Sequence, residues 1–275
     1  MSVQNIKTVG FVGLGKMGLP MAQNTLKAGF RVVGFDQDQE AASRAKASGI
    51  EVLPGLSEIS EHSDLVIIIV GFESQIESII FGEGGLASSP SQSIFAVAST
   101  VSPSFMVRTQ ERLKGTRYSV VDIPVARGEQ PARDGTLLLF FGGSIELFER
   151  CGPVFDSFCE KYENLGPLGC GQVGKMVNNM ILWSCLVANV EAFSIAEKFG
   201  IDQELLREIL TFSSGDNWAL RTKADQRPAF WAEKDMMILL SEADKKRVSL
   251  PLSGAVKEAI KAFKIDRDLP YPEEF

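Results

Sequence analysis

Near its beginning the chain reads Val9-Gly-Phe-Val-Gly13-Leu-Gly15-Lys-Met-Gly18, with three glycines in the spacing G-x-G-x-x-G. This stretch continues from an apolar run, Thr8–Val12, that predicts a buried strand, and it leads into a helical pattern. In such a setting Gly13 allows a tight turn, Gly15 lets a phosphate approach the backbone, and Gly18 lets helix and strand pack closely. Because the first N–H groups of a helix attract anions, the stretch predicts a dinucleotide site.

An acidic residue follows the next predicted strand. The run Arg31–Phe35 is apolar, and Asp36 comes directly after it, 18 residues beyond Gly18. A carboxylate here can accept hydrogen bonds from ribose hydroxyls and repels a 2′-phosphate. Asp36 and Asp38, with no arginine directly after Asp36, predict NAD as the cofactor, with NADP as the alternative.

Short apolar runs alternate with helical stretches such as Met17–Ala28 and Pro103–Lys114 through the first part of the chain. This βαβ alternation predicts an α/β fold whose N-terminal domain, residues 1–165, is a doubly wound Rossmann sheet of parallel strands. The predicted strands are Thr8–Val12, Arg31–Phe35, Leu65–Val70 and Ile94–Ala98, with Tyr118–Ala126 and Gly135–Phe141 extending the same sheet.

From Gly166 onward the pattern is helical. No proline occurs between Gln172 and Phe199 and the only glycine there is Gly174, which predicts one helix roughly 40 Å long. We expect this long interdomain helix to lead into an all-α C-terminal domain, so that the second domain covers residues 166–275. Further helices are predicted at Asp202–Phe212, around Trp218, at Phe230–Lys246 and at Leu252–Phe263.

Composition and charge argue against several partners. Hydrophobic residues make up 45% and charged residues 23% of the 275, which is typical of a globular protein. The net charge is −7 and no basic stripe stands out, so neither nucleic acid nor an anionic membrane is a predicted partner. The longest apolar run, Leu65–Val70, is far too short to span a membrane.

The numbers and spacing of histidine and cysteine residues disfavour several kinds of catalytic and metal site. His62 is the only histidine, and it lies in a polar stretch, so histidine-based triads and histidine-rich zinc sites are disfavoured. We therefore predict no metal and expect acid–base chemistry from other side chains. The four cysteines show no C-x-x-C spacing, and no signal-peptide pattern precedes the first strand, so we expect free thiols and a cytoplasmic location.

A second polar constellation lies where the long helix begins, in Gly166-Pro-Leu-Gly169-Cys-Gly171-Gln-Val-Gly-Lys175-Met-Val-Asn-Asn179. Lys175 and Asn179 are four residues apart and project from one helix face. In a cleft, a lysine can have its pKa lowered toward the working pH, which suits a proton donor or acceptor, and Asn179 can hold it or the substrate. Spacing alone is equally compatible with a snorkelling lysine and a solvated amide.

These motifs and three others make the chain resemble the β-hydroxyacid dehydrogenase family over nearly its whole length. Phe11–Ala22 followed by Asn24 is similar to the family's cofactor motif, and Ser99-Thr-Val-Ser-Pro103 to its loop near the nicotinamide. The other matching segments are Asp122-Ile-Pro-Val125 with Gly135-Thr-Leu137 for the substrate motif, Gly174–Asn179 for the catalytic motif, and Lys234-Asp235-Met236 for a later Lys-Asp-Leu motif.

The resemblance implies reversible hydride transfer between a nicotinamide cofactor and a small 3-hydroxy acid, or reduction of the matching semialdehyde. Lys175 would be the general acid in reduction and the base in oxidation, and Asn179 would orient the substrate. The predicted cofactor contacts are Gly13, Leu14, Gly15, Lys16, Met17, Gly18, Asp36, Gly71, Phe72, Thr100 and Lys234. The predicted substrate contacts are Asp122, Ala126, Arg127, Gly128, Lys175, Asn179 and Trp218. Of these, Phe72 and Trp218 are candidates from their own positions in the sequence, and for both the alternative is packing in the core.

The chain departs from the family pattern at two places. Where the family has Ser-Gly-Gly, this chain has Ala126-Arg127-Gly128, and we hypothesise that Arg127 remodels the anion site to grip a carboxylate, sulfonate or phosphate. The alternative is that Arg127 points to solvent or pairs with Glu129. The second departure is the polar, proline-broken end Ile265–Phe275, where the family continues in helix.

Two other functions stay open. One is an imine reductase, although that group usually replaces the lysine with aspartate or tyrosine, so Lys175 argues against it. The other is a non-catalytic dinucleotide-binding protein, which the altered Ala126-Arg127 favours and the retained Lys175 and Asn179 oppose. The expected partners are a small anionic substrate and further copies of the chain, as a homodimer or homotetramer.

Overall fold

The computed structural model describes residues 5–272, and its largest element is a six-stranded parallel sheet in the order β3-β2-β1-β4-β5-β6. The strand order reverses between β1 and β4, which is the doubly wound arrangement predicted from the βαβ alternation. The strands are β1 (Thr8–Val12), β2 (Arg31–Phe35), β3 (Glu51–Val52), β4 (Leu65–Ile68), β5 (Ile94–Val97) and β6 (Ser119–Asp122).

Both faces of this sheet are covered, because successive residues of its strands enter two different apolar clusters. In β4, Leu65 and Ile67 belong to one cluster, and Val66 and Ile68 belong to the other. This explains why the strands read as uninterrupted apolar runs. The helices of this part of the chain are α1 (Gly18–Lys27), α2 (Gln39–Ala47), α3 (Leu56–His62), α4 (Glu73–Phe81), α5 (Pro103–Leu113), α6 (Glu129–Asp134) and α7 (Ile145–Phe155).

A second sheet has three strands, β7 (Val125–Ala126), β8 (Leu137–Phe141) and β9 (Cys159–Asn164). The prediction that residues 135–141 extend the main sheet is therefore wrong. The main-sheet ladder stops just after Asp122, because Pro124 has no N–H to donate, and β8 pairs with β7 and β9 instead. One isolated bridge, between Asp122 and Gly142, links the two sheets.

The remaining elements are helices, with ends displaced by one or two residues from the predicted ones. Gly200, at a φ of +69°, ends the first of them, and Asp202 caps the next by accepting a hydrogen bond from the Leu205 N–H. The helices are α8 (Cys170–Lys198), α9 (Gln203–Leu210), α10 (Trp218–Arg221), α11 (Ala232–Lys245) and α12 (Pro251–Ile265). Of the predicted polar end, residues 273–275 lie outside the described part of the chain.

The chain divides into two compact units, one ending at Lys175 and one beginning at Met176. In the first unit, the core consists of the two clusters against the sheet. In the second, Leu186 of α8 packs with Met236 of α11 and with Val256 and Ile260 of α12. The division falls ten residues after the boundary predicted from composition.

One helix among the described residues, α8, is long and apolar enough to cross a membrane by length and composition. The long helix itself was predicted, but the expectation that no segment spans a membrane rested on uninterrupted apolar runs and did not consider this helix. The same test is passed by core helices of soluble proteins, so it is weak evidence for a membrane location.

Candidate functional site

The glycine-rich turn between β1 and α1 contains three glycines in different surroundings. A Cβ on Gly13 would lie 2.2 Å from the carbonyl oxygen of Ile69, and one on Gly18 would lie 1.9 Å from that of Gly13. Both positions therefore exclude a side chain. A Cβ on Gly15 would meet nothing within 4 Å, so the backbone there faces open space that a pyrophosphate can approach. The turn fits a dinucleotide.

Asp36 is fixed at the end of β2. Its carboxylate accepts hydrogen bonds from the Leu14 N–H at 2.7 Å and the Asp38 N–H at 2.9 Å. Asp38 in turn caps α2 by accepting from the Glu40 N–H. The Arg44 guanidinium lies 3.9 Å from the Asp38 carboxylate and 3.6 Å from that of Glu40.

The loops after β4 and β5 are bonded to each other. The Ser99 hydroxyl accepts from the Val70 N–H at 2.8 Å. The Gln75 side chain accepts from the N–H groups of Gly71 and Phe72, two of the predicted cofactor contacts. Thr100, a third, lies inside the β5 loop. These bonds hold the carboxyl ends of the two central strands in one arrangement.

Asp122, at the end of β6, supports the first turn of α8. It is fully buried, and its two oxygens accept from the N–H groups of Gly169 at 2.6 Å and Gln172 at 2.7 Å. Burial raises the pKa of this carboxyl to about 6, although the backbone hydrogen bonds act in the opposite direction. Such burial does not fit the predicted substrate contact, because both oxygens are already used inside the protein.

Gln172 lies in the same turn and is also fully buried. Its Nε2 donates to the Ser99 carbonyl at 2.9 Å, and its Oε1 accepts from the Val101 N–H at 3.1 Å. Sequence reasoning did not single out this residue. A polar amide in a turn otherwise made of small and apolar residues was the available signal.

Lys175 begins the next turn of α8 and is half-buried. Its Nζ donates to the Val125 carbonyl at 2.7 Å. The ammonium is therefore held at β7, in the segment between β6 and α6. This segment also contains the predicted substrate residues Ala126, Arg127 and Gly128. This bond disfavours a lysine that simply snorkels to solvent.

Arg127 is held by contacts within the first unit. Its guanidinium donates to the Thr136 carbonyl at 2.9 Å and forms an ion pair with Glu160. Glu129, the partner considered from the sequence, lies 3.6 Å from Lys16 instead. The backbone φ of Arg127 is +88°, a value that favours glycine, so the side-chain contacts hold a strained residue. Ala126 beside it is buried.

In the second unit, Asn179 is buried and its Nδ2 donates to Asp235 at 2.8 Å. The same Asp235 oxygen accepts from the Trp183 indole at 3.1 Å. Lys234 is buried with its Nζ 5.1 Å from the centre of the Trp231 ring. The sequence motif that contains Asp235 does not indicate a role for it, because its partners on α8 cannot be read from spacing. Trp218, at the start of α10, is half exposed.

Two family models match the chain. The first, described as the NAD binding domain of 6-phosphogluconate dehydrogenase, matches residues 8–170. The second, described as the NAD-binding of NADP-dependent 3-hydroxyisobutyrate dehydrogenase, matches residues 169–268. Together they cover almost all of the described chain.

Among similar proteins, 3-hydroxyisobutyrate dehydrogenase of Pseudomonas aeruginosa is 34% identical over 77% of this chain and 72% of its own length. Glyoxylate/succinic semialdehyde reductase 1 of Arabidopsis thaliana is 29% identical over 92% of this chain and 91% of its own. The solved structure of Mycobacterium tuberculosis 3-hydroxyisobutyrate dehydrogenase with L-serine has a TM-score of 0.85 at 28% identity, over 95% and 94% of the two chains. An imine reductase of Myxococcus stipitatus, 14% identical with a TM-score of 0.67, shares the fold.

Proposed function

The chain belongs to the β-hydroxyacid dehydrogenase family and is an NAD(P)-dependent oxidoreductase, and we propose that it oxidises a small 3-hydroxy acid reversibly or reduces the matching semialdehyde. The observation that carries this proposal is the half-buried Lys175 ammonium at the Val125 carbonyl. In our proposal Lys175 donates a proton to the developing alkoxide in reduction and accepts the hydroxyl proton in oxidation.

Cofactor binding is proposed for Gly13, Leu14, Gly15, Lys16, Met17, Gly18, Asp36, Gly71, Phe72, Thr100 and Lys234. The open space at Gly15 and the fixed Asp36 carboxylate support the first half of this set. When bound, the nicotinamide exchanges a hydride with the carbinol carbon. We propose NAD over NADP, because Asp36, Asp38 and Glu40 repel a 2′-phosphate and Arg44 is already paired with two of them.

Substrate orientation is proposed for Asn179, whose amide is itself oriented by Asp235. Ala126, Gly128 and Trp218 remain proposed substrate contacts. The anion-binding hypothesis for Arg127 also remains a prediction, but the pairing with Glu160 means that a substrate anion would have to compete with a carboxylate already in place. The family's serine hydroxyl is missing at Ala126, so backbone N–H groups of residues 126–128 are the remaining donors we propose for the substrate carboxylate.

We further propose that the chain forms a homodimer or homotetramer in the cytoplasm. An apolar patch, defined as Ile195, Phe199, Ile201, Leu205, Ile209 and Phe212, is exposed in the single chain. Leu205 and Ile209 lie four residues apart on one face of α9. Phe212 is 89% exposed, an unusual environment for a phenylalanine in a monomeric soluble protein.

The two alternative functions are not favoured. The imine reductase neighbour supports only a common fold, and this chain has Lys175 where that group usually has aspartate or tyrosine. A non-catalytic binding protein would not need a lysine held by a carbonyl next to the proposed substrate loop.

The proposed function is tested by an absorbance screen of 3-hydroxy acids, their semialdehydes, and sulfonate and phosphate analogues, each with NAD(H) and NADP(H). We expect turnover of a carboxylate substrate and tighter binding of NADH than of NADPH. Lys175→Ala should lower kcat by about 100- to 10,000-fold while the Kd for NADH stays nearly constant, because only the proton-transfer group is lost.

Lys114→Ala is the matched control, since Lys114 is an exposed lysine that pairs with Glu111 on the surface of the first unit. It should behave as the wild type. Retention of full activity in Lys175→Ala would refute the assigned role, and the absence of turnover across the whole screen would refute the proposed reaction.

A further inference from the structure

Gln172 makes two side-chain hydrogen bonds that bridge it to the loop following β5. The Ser99 carbonyl receives its Nε2 hydrogen, and the Val101 N–H donates to its Oε1. A primary amide offers a donor and an acceptor side by side, as this bridge requires. The bridge spans the residue between them, Thr100, and so holds the peptide groups on both of its sides.

The same loop is fixed at two further points. The Ser99 hydroxyl accepts from the Val70 N–H, which ties it to the end of β4. The Ser102 N–H donates to Glu73 at 2.6 Å, which ties it to the start of α4. With Gln172 added, the loop of residues 99–102 is held from β4, from α4 and from α8.

The other end of the connection is Lys175. It follows Gln172 by three residues on α8, so the two side chains lie near the same helix face. The backbone N–H of Gln172 is bound to the fully buried Asp122. Gln172 is thus anchored at both its side chain and its backbone, and it connects the loop of residues 99–102 to the helix turn that directly precedes Lys175.

We propose that Gln172 is a positioning residue that locks the Ser99–Val101 loop to the first turn of α8 and thereby fixes the Lys175 ammonium relative to the nicotinamide side of the site. This inference rests on the proposed function for its catalytic consequence. Its structural part, the lock itself, does not depend on the identity of the reaction. Proton and hydride must be transferred within one arrangement of groups, and a displacement of about 1 Å can cost about 100-fold in rate.

The test uses Gln172→Met, which keeps the length of the side chain and removes both hydrogen bonds, and Gln172→Glu, which keeps an acceptor for the Val101 N–H and loses the donor to Ser99. Val173→Thr is the matched control, because Val173 is the adjacent residue on the same turn and its side chain is exposed.

Two measurements are made on the full-length protein. Hydrogen exchange without cofactor should show Val101 protected in the wild type and in Val173→Thr, and exchanging faster in Gln172→Met, while protection of the β1 and β4 amides is unchanged. Steady-state kinetics should show kcat lowered by about 10- to 100-fold in Gln172→Met, less in Gln172→Glu, with the NADH Kd within a few-fold of the wild type.

The outcomes separate the two levels of the inference. If Val101 stays protected in Gln172→Met, there is no lock and the inference fails. If Val101 loses protection while kcat is unchanged, the lock exists without positioning Lys175, and the inference also fails. If the wild type turns over no substrate, the proposed function fails, and exchange at Val101 alone then decides whether Gln172 locks the loop.

Discussion

Asp122 illustrates how a buried carboxylate differs from its amide. Both of its oxygens accept backbone N–H groups, those of Gly169 and Gln172. An asparagine would present an NH₂ group to one of these N–H donors and lose that bond. The Asp122 carboxylate can therefore accept both N–H groups at the start of α8, which an amide cannot, even though burial makes its ionisation unfavourable.

This conflict predicts a pH dependence of stability. The pKa of Asp122 is raised from the ordinary value of 3.8 to about 6, so the folded protein holds this proton more tightly than the unfolded chain does. The contribution of Asp122 to stability is therefore greatest below pH 4 and is lost as the pH rises through 6. One pKa unit corresponds to about 1.4 kcal/mol, which makes the loss about 3 kcal/mol.

Urea unfolding of the wild type and of Asp122→Asn from pH 4 to pH 7 measures this effect. The difference in free energy of unfolding between the two proteins should move by about 3 kcal/mol against the wild type over that range. A difference that moves in favour of the wild type would mean that the backbone hydrogen bonds outweigh burial.

Sequence spacing points to single residues only where their surroundings are set by neighbours along the chain. It singled out Asp36 after β2 and the pair Lys175 and Asn179, whose roles stay predictions. Gln172 was not singled out, because its partners Ser99 and Val101 lie more than 70 residues earlier. Only the folded chain brings them together.

Two glycines of the glycine-rich turn, Gly18 and Gly15, are in different surroundings. The protein itself excludes a side chain at Gly18, where a Cβ would lie 1.9 Å from the Gly13 carbonyl oxygen. At Gly15 the protein leaves room, and in our proposal glycine is needed there for the approach of the cofactor's pyrophosphate.

Alanine substitutions at these two glycines should therefore affect different properties, cofactor binding in one case and thermal stability in the other. Gly15→Ala should keep the thermal midpoint of the wild type and weaken NADH binding by more than tenfold, because its Cβ enters the space for the pyrophosphate. Gly18→Ala should lower the midpoint, since the turn must open to avoid the clash. Calorimetry and fluorescence titration give both values, and equal thermal midpoints for the two variants would contradict this account.

Secondary structure was predicted well where burial is complete and less well where it is partial. The continuous apolar runs of β1, β2, β4 and β5 were recognised because both faces of the sheet are covered. Strand β9 was missed because its residues Cys159–Asn164 are mostly polar and only partly buried. Sheet membership of β8 could not be read from its own residues, since it depends on which strand pairs with it.

The surface of the whole molecule carries one prediction about assembly. If the apolar patch, which lies on α8, α9 and the segments that follow them, binds another copy, Ile209→Lys with Phe212→Ser should shift the protein toward monomers, because a charge would be placed in the interface. Val107→Lys is the control, as Val107 is an exposed apolar residue on α5 outside the patch. Light scattering gives the masses, and an unchanged mass for the double variant would place the interface elsewhere.

The two-part organisation of the molecule was visible in the sequence as a change from βαβ alternation to helix. The exact place of division was not, because α8 begins before it and continues after it. The sequence pattern changes at Gly166, whereas the boundary between the compact units depends on how their residues pack.

The carboxylate of Asp122 leaves no room for a Cβ on Gly142, which would lie 2.3 Å from it, or on Gly171, which would lie 2.7 Å from it. These three positions are thus one steric unit drawn from three segments of the chain. A larger residue at position 142 is therefore expected only together with a smaller one at position 122, whereas at position 171 the Phe140 carbonyl oxygen, 2.5 Å from the Cβ, excludes a side chain whatever stands at position 122. Related sequences should consequently change positions 122 and 142 jointly and keep glycine at 171, and a library that randomises all three positions should show the same pattern among its folded members.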